Sequence, residues 1–260
     1  MAFLVSRRGQ RGFTMLELLA VIFTLVALAA LLLPVLSKAK IKAQRTNCLS
    51  NIRQLGLAWV LYSSDNNGRL VESYPLNNPN AWILGDMRNT SEATNIDLLR
   101  QGKLYAYNRN PQIYHCPADE GVQVDRKVLK SVRSYSMNSY MGARDPQLGP
   151  IPETAKNFVL FYTKDSEIPR PSTIWVLLDE DERSINDGFF VPDPTAQKWI
   201  DFPANSLHRH DFSYGLVFAD YHADIWRNTS VVGTKVALAQ SGQPGSADLQ
   251  RLAYASATTK

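Results

Sequence analysis

The sequence is poor in cysteine, with only Cys48 and Cys116 among its 260 residues. This scarcity excludes a small scaffold held together by many disulfides, and it excludes a zinc site built from four cysteines. One disulfide remains possible if the chain is exported to an oxidising compartment. The apolar fraction of 45% and the charged fraction of 20% are ordinary for a folded protein, which excludes a disordered or collagen-like chain.

The sequence also has little excess charge of either sign. Its formal net charge is +4, and Arg7, Arg8 and Arg11 supply three of these positive charges within the first dozen residues. The rest of the chain therefore carries a formal charge of +1, without the broad cationic surface that nucleic-acid binding requires. We expect no nucleic-acid partner.

Known catalytic motifs are missing as well. The chain contains no Gly-x-Ser-x-Gly nucleophile motif, no His-Glu-x-x-His zinc motif and no glycine-rich phosphate loop. We therefore predict that the protein is not an enzyme.

One long apolar run stands out against this background. Residues 13–36 contain Glu17 as their only charged side chain, and about 20 apolar residues are enough to span a bilayer as a helix. The run is longer than the apolar core of a cleaved secretory signal. Because basic residues precede it, we expect residues 1–12 to stay in the cytoplasm as a leader while the bulk of the chain crosses the membrane.

Glu17 is unusual because a carboxylate inside an apolar helix is costly and generally marks a partner or a function. One interpretation is a cationic partner. The other is a position near the membrane interface from which the side chain reaches water. The residues around it, 11–19, have the sequence RGFTMLELL.

This segment resembles the leader and processing site of type IV pilins and type II secretion pseudopilins. The resemblance implies that a prepilin peptidase cleaves after Gly12 and that the new amine of Phe13 becomes methylated. It also implies that Glu17 pairs with the Phe13 amine of a neighbouring subunit, and such an amine is mostly cationic at neutral pH. Pro34 matches the proline usual in the family's helix, where it predicts a kink or local melting.

Residues 37–68 change from uniform apolarity to helical periodicity, which predicts an amphipathic spine with one buried face. The apolar positions that define this face are Ile41, Cys48, Ile52, Leu55, Trp59 and Tyr62. We expect one helix from about Thr14 to Ser63, ended by Asn66-Asn67-Gly68.

The remaining chain predicts a folded head at residues 69–239 and a flexible tail at residues 240–260. Segments rich in β-branched and aromatic residues predict an antiparallel sheet of four or five strands that packs on the spine. These segments are residues 157–163, 173–178, 188–191, 214–219 and 222–226. The expected fold class is α+β, with a pilin-like long N-terminal helix on a small sheet.

The head carries further family elements. Residues 47–58, 116–119 and 133–138 resemble segments of pilin-like heads. His210 and Asp220 resemble a His-x9-Asp-Gly element, except that Tyr221 stands where the family has glycine. A glycine at this place fits a turn with positive φ, which tyrosine adopts poorly.

Two groups of head residues invite a chemical interpretation. We expect Cys48 and Cys116 to form a disulfide, with two buried thiols as the alternative. Asp179, Asp181 and Asp187 lie in the most acidic segment and are candidate Ca²⁺ ligands, with a solvated acidic turn as the favoured alternative.

A third group contains two histidines and an aspartate. His210, Asp220 and His222 are candidate Zn²⁺ ligands because imidazole and carboxylate suit that ion. The competing and favoured interpretation is a hydrogen bond between His210 and Asp220 across a hairpin.

Taken with the resemblance, these features predict a structural subunit of a type IV pilus-like or type II secretion pseudopilus filament. The expected partners are further copies of the chain, prepilin peptidase, the inner-membrane assembly machinery and membrane lipid. The expected location is the inner membrane, crossed once, with the head in the periplasm or on the cell surface. The alternative is a membrane-anchored surface module that binds a glycan or a metal, with aromatics of residues 74–82 and 199–202 as the glycan platform.

Overall fold

The computed structural model describes residues 13–75, 78–124, 126–142, 161–193, 199–204, 209–228 and 247–256. Contacts divide the chain into two compact units, Met1–Lys40 and Ile41–Lys260. Residues 1–12, with Gly12 and the leader arginines, lie outside the described residues.

The longest element is helix α1, Met15–Asp65, with 51 residues. It is long and apolar enough to cross a membrane, with a mean hydropathy of 2.9 in its most apolar window, and no other helix among the described residues meets this criterion. Pro34 lies inside the helix, which is continuous on both sides of it. Of the kink or local melting predicted at Pro34, the melting is therefore wrong and the kink stays a prediction, since proline still removes one backbone donor from the helix.

The spine part of α1 buries the face that its periodicity predicts. Cys48, Ile52, Leu55 and Trp59 are all buried and belong to the largest apolar cluster of the second unit. The same cluster includes Leu177 from the sheet, so this part of the helix packs directly on the strands.

Within the described ranges, seven strands form two sheets. They are β1 (Val122–Val124), β2 (Lys127–Leu129), β3 (Tyr135–Asn138), β4 (Trp175–Asp179), β5 (Phe189–Phe190), β6 (Ser213–Phe218) and β7 (Ala223–Arg227). Strands β1 and β2 pair with each other, and the other five form the main sheet in the order β5-β3-β4-β6-β7. All pairs of the main sheet are antiparallel except β3 with β5, which is parallel. The sheet is thus mixed rather than purely antiparallel.

Both faces of the main sheet are covered, which explains why β4 and β6 are apolar without alternation. Every residue of these two strands is buried. On one side lie the spine residues, and on the other lies a second apolar cluster that joins Trp175 and Leu216 to Leu249 and Leu252.

Leu249 and Leu252 belong to helix α4, Ala247–Tyr254, so this part of the predicted flexible tail is helical, while residues 240–246 and 257–260 lie outside the described residues. The indole Nε1 of Trp175 donates to the Leu252 carbonyl at 3.2 Å. A few leucines at helical spacing suffice to dock this short helix, although the surrounding composition of Ser, Ala, Gly and Gln is typical of a tail.

The head also contains short helical elements between the spine and β3. They are α2 (Thr90–Ala93), α3 (Ile96–Gln101) and 3₁₀ turns at Lys103–Ala106 and Pro111–Tyr114. Of the predicted strand at residues 157–163, positions 157–160 lie outside the described residues, and Tyr162 forms only an isolated bridge with Met141.

Candidate functional site

The first candidate site is the apolar surface of α1 in the first unit. Every described residue from 13 to 40 is exposed. Large apolar residues such as Phe13 (72% exposed) and Leu16 (78% exposed) are not buried by other described parts of the chain. Such a surface requires lipid or other protein around it.

Glu17 lies at the very start of this surface, at the third helical position. Its Oε2 accepts hydrogen bonds from the backbone N–H of Thr14 at 2.9 Å and from the Thr14 hydroxyl at 2.8 Å. The Thr14 hydroxyl oxygen in turn accepts from the Glu17 N–H at 3.2 Å. This reciprocal pattern is a capping box, which satisfies two of the amides that every helix start leaves unpaired. Glu17 therefore has a local structural role at the start of the helix.

The two cysteines lie in the second unit, where both are buried free thiols. Their sulfur atoms lie within 4.8 Å of each other, but the disulfide predicted from the sequence is not formed. Each sulfur has another neighbour: the Tyr135 hydroxyl lies 3.3 Å from Cys48 Sγ, and His210 Nε2 lies 3.0 Å from Cys116 Sγ. The alternative interpretation, two buried thiols, describes the structure.

His210 is fully buried beside Cys116, far from its predicted partner. It precedes strand β6, whereas Asp220 follows that strand, and six strand residues separate the two ends by roughly 20 Å. The predicted hairpin hydrogen bond between His210 and Asp220 is therefore wrong. The predicted zinc set is wrong for the same reason, since Asp220 contacts only the nearer histidine, with its Oδ1 at 2.5 Å from His222 Nδ1.

Asp179, the last residue of β4, joins the cysteines and His210. Its Oδ2 lies 3.7 Å from Cys48 Sγ and 3.6 Å from His210 Nε2. Its other oxygen, Oδ1, accepts a hydrogen bond at 2.5 Å from Arg209, which is buried as well. The carboxylate is thus held by an arginine on one side and faces the thiols on the other.

The acidic triad proposed for calcium does not come together. Asp181 forms an ion pair with Arg183 at 2.6 Å, and the Asp187 carboxylate accepts from the Phe189 N–H at 3.2 Å. Within the described part of the chain, the one group of three or more potential ligands close enough to share a metal contains Asp179 but neither of the other two. The solvated-turn alternative also fails, because all three aspartates are buried.

Burial and neighbouring groups shift the pKa values in this cluster. Burial raises the pKa of Cys48 well above its ordinary value. Burial acts in the same direction on Cys116, but hydrogen bonds with Cys48 and His210 outweigh it and lower that pKa to about 7. Burial raises the pKa of Asp179 to about 6 against the opposing charge of Arg209.

Two buried arginines of the described head were not predicted from the sequence. Arg209 forms ion pairs with Asp179, with Glu182 at 2.6 Å and with Asp119 at 3.5 Å. One guanidinium thus neutralises charge on three carboxylates. Arg133 donates to the carbonyls of Asn186 at 3.0 Å and of Asp187. The only signal was their place beside family elements, since Arg133 begins residues 133–138 and Arg209 precedes His210.

The turn after β6 forms although tyrosine stands where the family has glycine. Tyr221 adopts a φ of +57°, the left-handed conformation that glycine would provide without steric cost. Tyrosine therefore adopts here the positive φ that the sequence analysis associated with glycine.

The aromatic residues considered for glycan binding are mostly inside the head. Trp82 is fully buried and stacks on Tyr114 with ring centroids 6.4 Å apart. Trp199 is 7% exposed and packs against Phe202. Two of the four aromatics proposed for the surface module are therefore buried, and the other two, Tyr74 and Phe202, are half-buried.

Comparison with known proteins gives two partial matches, both named Type II secretion system core protein G. The protein from Pectobacterium carotovorum subsp. carotovorum is 47% identical over 58 residues, which are 22% of this chain and 37% of that protein. The protein from Klebsiella michiganensis is 43% identical over 62 residues, which are 24% of this chain and 44% of that protein. The chain thus matches less than half the length of each relative.

No protein-family model matches the chain. No solved structure matches it either. The two partial matches support the resemblance to the pilin and pseudopilin family, and the α+β arrangement with its long N-terminal helix agrees with it.

Proposed function

We propose that this protein is a structural subunit of a filament of the type II secretion pseudopilus or type IV pilus kind. The proposal includes cleavage by prepilin peptidase after Gly12 and methylation of the new amine of Phe13. The observation that carries it is an exposed apolar helix with one carboxylate, Glu17, in its first turn.

The exposed helix surface explains both states of such a subunit. Before assembly, residues 13–36 reside in the inner membrane, where lipid covers their side chains. In the filament the same side chains pack against further copies. Transfer from lipid to a helical bundle gains little hydrophobic free energy, so close packing and polar contacts must select the register.

Glu17 supplies the polar contact in this scheme. In the isolated chain its carboxylate caps its own helix through Thr14. In the filament the cationic amine of a neighbour's Phe13 approaches the same carboxylate. The pair neutralises a charge that would otherwise be buried unpaired among apolar helices, and an unpaired charge there would oppose assembly.

The same scheme places the protein in the cell. The leader arginines orient the helix so that the head lies outside the cytoplasm, and the inner-membrane assembly machinery extracts the subunit into the fibre. Because both relatives are named as secretion-system proteins, we favour a periplasmic pseudopilus over a surface pilus. A non-catalytic role is consistent with those names.

The capping box allows a sharp test of the Glu17 pairing. Glutamine also serves at the third position of a capping box, so Glu17→Gln keeps the helix start but removes the charge. Glu17→Ala removes both, and Glu120→Ala, at an exposed head position, is the matched control. In the native host we expect all three variants in the membrane fraction, and only the control in sheared filaments or cross-linked multimers. Normal incorporation of Glu17→Gln would contradict the charge pairing.

A further inference from the structure

We propose that Cys48, Cys116, His210 and Asp179 form a zinc site inside the head. Their donor atoms all lie within 4.8 Å of one another, and all four residues are buried. The site is independent of the proposed filament function, because it concerns the second unit alone.

The spacing of the donor atoms is close to that of a tetrahedral zinc centre. Zinc binds sulfur at about 2.3 Å and nitrogen or oxygen at about 2.0–2.2 Å, so donors around a tetrahedral ion are separated by roughly 3.3–3.8 Å. In the structure Asp179 Oδ2 lies 3.6 Å from His210 Nε2 and 3.7 Å from Cys48 Sγ. His210 Nε2 lies 3.0 Å from Cys116 Sγ, so binding requires those two donors to separate by about half an ångström.

The chemistry of the donors selects the ion. Two cysteine sulfurs and an imidazole favour zinc, whereas calcium and magnesium require oxygen ligands throughout. Four protein donors leave no open position for a substrate, and the burial of all four excludes solvent. These are the properties of a structural site rather than a catalytic one.

Groups around the donors complete the arrangement. Arg209 holds Asp179 Oδ1 at 2.5 Å, which leaves Oδ2 directed at the other donors. The Tyr135 hydroxyl lies 3.3 Å from Cys48 Sγ and can donate to a thiolate. Two thiolates, one carboxylate and Zn²⁺ sum to a single negative charge, which would lie beside the buried guanidinium of Arg209. Such surrounding contacts orient metal ligands and tune their basicity.

The backbone that presents His210 is strained. His210, Asp211 and Phe212 have φ values of +61°, +56° and +56°, a left-handed conformation for three successive residues that are not glycine. This conformation is unfavourable for L-residues and persists only where surrounding contacts impose it. A metal bound by the imidazole would supply one such contact.

The four ligands come from four separate parts of the head. Cys48 lies on α1, Cys116 follows the 3₁₀ turn Pro111–Tyr114, Asp179 ends β4, and His210 precedes β6. One bound zinc would therefore tie the spine to the main sheet and to two loops. Binding would release the protons of both thiols to solvent, since cysteine ligates as the thiolate.

The test uses the full-length protein, purified in detergent without chelator from cells grown with zinc. We expect about one zinc per chain by elemental analysis, and its loss in Cys116→Ser and His210→Ala. His222→Ala, which removes an exposed histidine outside the cluster, should keep the full zinc content. Replacement of zinc by Co²⁺ should give the visible absorption of a tetrahedral thiolate complex, as the sulfur ligands require.

A second measurement does not depend on the folding of the variants. In the wild-type chain a chelator should release the zinc, and both thiols should be alkylated faster after the release than before it. A wild-type protein that contains no zinc, or whose cysteines are found bridged to each other, would overturn the proposal. Zinc retained at the full level by folded His210→Ala would overturn it as well.

Discussion

Gly56 of the spine lies against Val217 of strand β6 so closely that a Cβ atom on Gly56 would come within 2.5 Å of Val217 Cγ2. The absence of a side chain at this helix position therefore sets how near the spine approaches the main sheet. Val217 is fully buried and β-branched, so its methyl group has little freedom to move aside.

Gly56→Ala should destabilise the head, although alanine is the better helix former by about 1 kcal/mol. Overpacking of a tight core typically costs about 1–3 kcal/mol, so we expect the clash to prevail. The measurement is the urea unfolding midpoint of the full chain in detergent.

The double variant Gly56→Ala/Val217→Ala is the matched control for this contact. Removal of the valine methyl groups makes room for the new Cβ. The double variant should therefore lose clearly less stability than the sum of the losses measured for Gly56→Ala and for Val217→Ala. Strict additivity of the single effects would show that the two residues do not define the spacing.

Asn138, at the end of β3, links the sheet to the C-terminal helix. Its Nδ2 donates to the carbonyl of Trp175 at 2.9 Å and to that of Ser256 at 2.8 Å, and its Oδ1 accepts from the Tyr140 N–H at 3.1 Å. Asn138→Ala leaves these buried groups without a partner, at a cost of roughly 1–3 kcal/mol for each unpaired group.

Asn138→Ala should destabilise α4 locally as well as lower the stability of the whole head. We expect hydrogen exchange to accelerate first in α4, because the contact with Ser256 helps to hold that helix on the sheet. Asn108→Ala, at a partly exposed position, provides the comparison. Unchanged protection of α4 in Asn138→Ala would contradict the role assigned to this side chain.

The sequence predicted the elements whose signals are local. The spine face appeared in the spacing of Cys48, Ile52, Leu55 and Trp59, and four of the five predicted strands match β4 to β7 within two residues at each end. Strand β3 was missed because YSMN has neither alternation nor a strong β-branched run, although it lies inside the sheet between β5 and β4. Its burial comes from its neighbours on both sides.

The contacts of the head cluster could not be predicted from local patterns. Cys116 and His210 are separated by 94 positions, and only the path of the strands brings them together. Because Asp220 and His222 are close in sequence, they were proposed instead as metal ligands together with His210. These two residues do contact each other, but on the surface. The sequence thus singled out both cysteines and His210, which the structure brings together, but it placed His210 with Asp220 and His222 instead of with the cysteines.

Asp201 should make the stability of the head depend on pH. Burial raises its pKa from 3.8 to about 7, and its Oδ2 accepts from the Val191 N–H at 2.7 Å. Between these two pKa values the folded chain retains a proton that the unfolded chain releases. The contribution of Asp201 to the free energy of unfolding is therefore greatest at low pH, and it is lost as the pH rises through about 7.

Asp201→Asn isolates this contribution, because asparagine keeps an acceptor for Val191 but does not ionise. We expect the variant to lose less stability than the wild type between pH 5 and pH 8, by urea unfolding of the full chain in detergent at about unit intervals of pH. Glu120→Gln, at an exposed position, should behave as the wild type. An identical pH profile for Asp201→Asn and wild type would refute the assignment.

Maturation and assembly as a pilin-like subunit can be tested at the N-terminus of the chain. The measurement is the N-terminal sequence and intact mass of the protein purified from membranes of its native host. We expect a chain that begins at Phe13 and carries one added methyl group on that amine. A protein that still begins at Met1, with residues 1–12 attached, would contradict it.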